Sequence, residues 1–126
     1  MNSKHTPLRQ LDYLDHMLEA VKLARSYAKG LERADFLADK RTQQAVILNL
    51  LTIGEAASHI VREYPDFPER YPTLPWKQIR GMRNRMAHGY FDINLDVVWD
   101  TIQQSLPELE REIVNLQQAI RNESDG

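Results

Sequence analysis

Eight consecutive residues, Arg83-Asn84-Arg85-Met86-Ala87-His88-Gly89-Tyr90, concentrate the polar chemistry of this 126-residue chain. A guanidinium stays charged and can grip a phosphate through two hydrogen bonds. A histidine, with an ordinary pKa of about 6.5, moves protons near neutral pH. A tyrosine adds a hydroxyl. Lys77 and Arg80 lead into the segment, so residues 77–85 carry Lys77, Arg80, Arg83 and Arg85 with no acid among them. Phosphate binding with proton transfer is the chemistry this set supports. Any active site is expected here.

A helix must position these groups. Pro75-Trp76 opens it and His88 is its expected end. At about 100° per residue, Trp76, Ile79, Met82 and Met86 form one stripe, which should face the core. Arg80, Asn84 and His88 form an i, i+4, i+8 row on an adjoining face. Arg83 falls between the two, half-buried, and calls for an acid. Glu55, set inside the most apolar helix of the chain, is the candidate. Arg83 and Tyr90 would share a face if the helix ran on, but Gly89 leaves the direction of Tyr90 open. A bland reading fits the same residues: Arg83 in a structural ion pair, His88 at a helix end favoured by the helix dipole, Tyr90 at the core edge.

The rest of the chain reads as helices. Thr6-Pro7 starts one that runs toward Gly30, with Leu8, Leu11, Leu14, Leu18, Val21 and Ala24 at helical spacing. Residues 31–40 are a connector with room for a helical turn at Arg33–Leu37. About Arg41 to Glu63 is expected to run through the middle of a bundle, since its apolar residues lie on nearly every side. Gly54 within it implies a close helix contact. Pro65, Pro68, Pro72 and Pro75 mark a loop. Asn94 caps a last helix, which Pro107 kinks or restarts; Arg121 to Gly126 is expected to fray. The expectation is one all-α domain over residues 1–126, a four- to five-helix up-and-down bundle with frayed tails at 1–6 and 122–126.

Composition narrows the function. The net charge is −2, from 16 Lys and Arg against 18 Asp and Glu. A nucleic-acid coat would be strongly basic, so any contact with nucleic acid must be local, at residues 77–85. There is no cysteine, and His5, His16, His59 and His88 are not at metal-ligand spacing, so no metal site is expected. No signal-peptide core and no apolar run near the length of a membrane span are read, which fits a cytoplasmic protein. Asp12, Asp15 and Glu19 read as a solvated face. Trp76 and Trp99 read as packing.

Over nearly its whole length the chain resembles HepT-like proteins of the HEPN superfamily, the toxin half of HEPN/minimal-nucleotidyltransferase toxin–antitoxin pairs. The matching pieces are Asp39-Lys40-Arg41-Thr42, Ile53-Gly54-Glu55-Ala56-Ala57, Pro75-Trp76 with Ile79-Arg80-Gly81-Met82-Arg83-Asn84, and Ala87-His88-Gly89-Tyr90-Phe91. The family signature is an arginine, four to six residues, a histidine, any residue and a tyrosine; Arg83, His88 and Tyr90 match it. The resemblance implies a type VII-like toxin, a metal-independent RNase working as a homodimer, with Arg83 and His88 catalytic. It also implies an antitoxin that transfers AMP from ATP to Tyr90, so the toxin itself needs no cofactor and ATP serves only the partner.

Metal-free RNA cleavage needs a base, an acid and a cation. Arg83 suits the phosphate and His88 the proton; Arg80, Asn84 and Arg85 would support the RNA backbone, with Glu55 holding Arg83. One motif histidine per chain is too few for two proton transfers, and a two-fold dimer supplies a second. Two rivals stay open at this point: a non-catalytic helical module that binds or restrains a nucleotidyltransferase, and a nucleotide-binding domain without RNase activity.

Overall fold

A computed structural model describes residues 6–89 and 92–125. Among them there are helices and no strand: α1 (Thr6–Ala28), α2 (Arg33–Leu37), α3 (Lys40–Glu63), α4 (Phe67–Arg70), α5 (Trp76–His88), α6 (Leu95–Asp100) and α7 (Leu106–Asp125), the last two joined by a π-helical turn at Thr101–Ser105. The fold is an all-α bundle. α3 packs on both α1 and α5, and α1 packs also on α7.

Local chemistry sets the helix ends. α1 stops where Gly30 turns with φ +81°, a backbone conformation that side chains with a Cβ avoid. α2 opens on a capping box: the Glu32 N–H donates to the Asp35 carboxylate at 3.0 Å. Asp39 caps α3, accepting from the Thr42 N–H at 3.1 Å and the Thr42 hydroxyl at 2.6 Å. Asn94 caps α6 by accepting from the N–H groups of Asp96 and Val97.

The core runs through all the long helices. Leu14, Met17 and Val21 of α1, Leu50, Ile53 and Ile60 of α3, and Ile113 of α7 are fully buried. Each such side chain stabilises the fold by about 1.5–3 kcal/mol relative to exposure. Gln117 is buried too, and its amide donates to Asp15 at 2.5 Å, tying α7 to α1. Arg25 and Glu110 pair across the same seam at 2.8 Å.

The structure departs from the sequence expectation in four places. α3 is not apolar all round: Arg41, Gln44, Leu48 and Thr52 form a solvent-facing stripe, with Leu48 63% exposed. By length and composition α3 also qualifies as a membrane-crossing helix, a run the sequence reading did not count. In this fold its other face is the bundle core. The proline-rich loop contains α4, because Pro68 sits in its first turn, where no backbone donor is required. Phe67 of α4 is buried, edge-on to Trp76 at 5.6 Å. Finally, α7 is helical past Arg121: Glu123 accepts from the Tyr71 hydroxyl and pairs with Arg70 at 3.3 Å.

Candidate active site

α5 carries the candidate residues, and its apolar stripe fixes its roll. Trp76, Ile79 and Met86 are buried and Met82 packs against the core. The Trp76 indole donates to the Tyr71 carbonyl at 3.0 Å. The helix ends at His88, where the Gly89 N–H donates to the Arg85 carbonyl at 2.8 Å.

On the α3 side, Gly54 and Glu55 act on one arginine. A Cβ at Gly54 would lie 2.1 Å from the Arg83 Cβ and 3.3 Å from its Cα. Only glycine lets the two helices approach so closely. One residue on, Glu55 pairs with the Arg83 guanidinium through Nε and Nη2, while Nη1 donates to the Asn84 side-chain oxygen at 3.0 Å. The side chain of Arg83 is 31% exposed and that of Glu55 46%, so the pair meets solvent. A pair of this exposure stabilises the fold by about 0–1 kcal/mol. Its larger consequence is to fix the guanidinium. With three of five N–H groups committed, two remain for another acceptor among the described residues.

His88 stands elsewhere. Five helical residues correspond to about 140° of net rotation, so it does not share a face with Arg83. It is exposed and opens onto a cleft of about 900 Å³ between the end of α5 and the start of α6. Met82, Met86, Ile93 and Val97 make the cleft's apolar wall, with Asn84, Arg85, Asp92 and Asn94 among its polar groups. Arg85 reaches a second hollow as well, against α7, where Glu108 and Glu112 also lie. There burial, then the neighbouring Glu108 charge, push the Glu112 carboxyl above its ordinary range.

Arg80 and Lys77 line a groove of about 400 Å³ with Val61, Trp76 and Gly81. Asn84 borders both this groove and the His88 cleft. It therefore links the clamped arginine, the basic groove and the histidine. The structure thus gathers Arg83, Glu55 and Asn84 in one contact and Asn84, Arg85 and His88 in one cleft, but separates Arg83 from His88. Tyr90 lies outside the described residues. The cleft wall formed by Asp92, Ile93, Asn94 and Val97 was not read as part of a site. No periodicity connects those residues to α5, because a link and a new helix intervene. Among the described residues no group of His, Asp or Glu is arranged to hold a metal.

Comparison with known proteins adds the family. The model of a family described as "Ribonuclease HepT-like" matches residues 17–116. A protein named "Probable ribonuclease HepT" from Thermococcus cleftensis is 38% identical over 98 residues, 78% of this chain and 86% of that one. One named "Putative RNase TTE0752" from Caldanaerobacter subterraneus is 35% identical over 106 residues, 84% of this chain and 92% of that one. A third, named "Putative RNase MJ0127", from Methanocaldococcus jannaschii, is 34% identical over 114 residues, 90% of this chain and 92% of that one. No solved structure matches. A family match over that span, with relatives covered almost end to end, places this chain among the HepT-like ribonucleases of the HEPN superfamily.

Proposed function

We propose that the chain is the toxin of a toxin–antitoxin pair, a metal-independent endoribonuclease of the cytoplasm that cuts RNA with Arg83 and His88. The observation that carries this reading is membership of the HepT-like family in a chain whose Arg83, His88 and Tyr90 keep the Arg-x4-His-x-Tyr spacing. The exposed position of His88 on a cleft, and a guanidinium held in place with N–H groups to spare, support it.

The chemistry needs no cofactor. The ribose 2′-oxygen attacks the adjacent phosphorus while its proton passes to a base. The P–O5′ bond breaks and O5′ takes a proton from an acid. The products are a 2′,3′-cyclic phosphate and a 5′-hydroxyl. Neutral His88 serves as base and protonated His88 as acid; Arg83 holds the phosphate as charge builds on it. One imidazole does not hold both protonation states at once, and Arg83 faces away from it within a protomer. A two-fold dimer answers both problems by bringing the His88 of one copy toward the Arg83 of the other. In the off state, the Tyr90 hydroxyl oxygen attacks the α-phosphorus of ATP on the nucleotidyltransferase antitoxin, pyrophosphate leaves, and the AMP places an anion where RNA phosphate would bind.

One experiment tests both parts. RNA cleavage is followed for the wild type, for His88→Ala, and for wild type incubated with an active cognate nucleotidyltransferase and ATP. His88→Ala should lose about 10²–10⁴-fold in rate with unchanged thermal unfolding. The treated protein should lose activity and gain the mass of AMP on the Tyr90 peptide. Wild-type rates from His88→Ala remove the catalytic assignment. Inhibition without that mass removes the Tyr90 switch.

A further inference from the structure

Gly54 and Gly81 both lie inside long helices, and the space above them differs. A Cβ on Gly54 would strike Arg83, so the chain itself fills that space. A Cβ on Gly81 would meet nothing within 4 Å. Glycine is a poor helix-interior residue, and at Gly81 no packing among the described residues accounts for it. The bare backbone there lies in the groove lined by Lys77 and Arg80. Like most cations among the described residues, neither has a carboxylate within ion-pair distance, and no acid is among the residues that line the groove.

We propose that this groove seats the RNA strand flanking the cut bond, with Lys77 and Arg80 on its phosphates and the Gly81 backbone as the floor that lets the strand come close. The inference rests on the ribonuclease reading and gives it a substrate path. Asn84 borders both the groove and the His88 cleft, so the path is continuous with the candidate site. Lys77 to His88 spans about 16 Å of helix axis, enough for several nucleotides. A second copy of the chain is a poorer occupant. A two-fold contact centred here would set Lys77 and Arg80 against their own equivalents, like charge on like charge. A polyanion meets them with opposite charge.

The test is binding of a short, fluorescent, 2′-O-methylated single-stranded RNA, which lacks the attacking hydroxyl and stays intact. Titrations at several salt concentrations use the wild type, the Lys77→Ala/Arg80→Ala double variant and Gly81→Leu, with light scattering on each. The double variant should bind about tenfold more weakly at low salt, and its slope of log Kd against log salt should fall by roughly 0.7 per cation removed. Gly81→Leu should stay folded, keep the wild-type molecular mass and bind more weakly, because its side chain fills the groove. Wild-type affinity and slope in both variants overturn the inference while wild-type cleavage keeps the ribonuclease reading. A changed molecular mass in Gly81→Leu with unchanged RNA affinity overturns it in favour of a second copy. A wild type that neither binds this RNA nor cuts the unmodified strand removes both.

Discussion

The two faces of α5 present basic side chains under opposite conditions. Toward α3, Arg83 is rooted against Gly54 and its guanidinium is shared between Glu55 and Asn84. On the outer face Lys77, Arg80 and His88 are exposed, and among the described residues none has a carboxylate within ion-pair distance. The inner face has its partners within the chain. In the proposal above, the outer face finds its partner in the RNA strand. Positions where the sequence accepts a local cost with an internal return belong to the fold; those without one point to a ligand.

Changing the two glycines to alanine separates these conditions most strongly. Gly54→Ala forces the Arg83 Cβ, which is rooted in backbone, to move and should destabilise the protein by about 1–3 kcal/mol. Gly81→Ala adds a methyl to open space and should stabilise it by about 0.5–1 kcal/mol. Urea midpoints measure both, and shifts of the same sign would break the contrast. Glu55→Gln comes next. It keeps an acceptor for Arg83 and removes the charge, so stability should fall by less than about 1 kcal/mol, while the cleavage rate falls by more than stability accounts for. Equal loss in both would make Glu55 a structural partner alone.

The smallest effect is acid weakening of the inner face. Asp39 caps the helix that carries Gly54 and Glu55, and hydrogen bonds from the Thr42 hydroxyl and then its N–H hold the carboxyl below its ordinary range. Its folded pKa lies below the unfolded one of about 3.9. The stabilisation is therefore complete above that value and is lost as pH falls through the folded pKa. Asp39→Ala should flatten this acid limb of a thermal-unfolding profile. An unchanged limb would assign it to other carboxylates.

Much of α5 was legible because one stripe of large apolar residues fixes both its length and its roll. Glu55 was legible for a related reason: an acid in so apolar a helix needs a cation. The same 100° per residue that places Arg83 between the core stripe and the His88 row also sets the two side chains apart, a consequence the sequence expectation did not include. Other features were not. Pro68 reads as a breaker until its place in the first turn of α4 is known. Leu48 reads as core until the stripe with Gln44 and Thr52 shows solvent on that side. The α6 wall of the cleft depends on where α6 lies against the end of α5, which periodicity does not encode.

The π-helical turn at Thr101–Ser105 has a mechanical meaning. The Leu106 N–H reaches the Thr101 carbonyl, so the rod from Leu95 to Asp125 holds one more residue than an unbroken α-helix of the same path. Immediately beyond it stands Pro107, which cannot donate to the turn before it. The extra residue works as a phase shifter. α7 keeps the angular setting that buries Leu109, Ile113, Leu116 and Ile120, while α6 keeps another, which turns Val97 to the His88 cleft and lets Arg33 bridge Asp96 and Asp100 at 2.8 and 2.7 Å. Deleting one residue of the turn would rotate α6 by about 100° against α7. The bundle would keep its seam and the cleft would lose a wall.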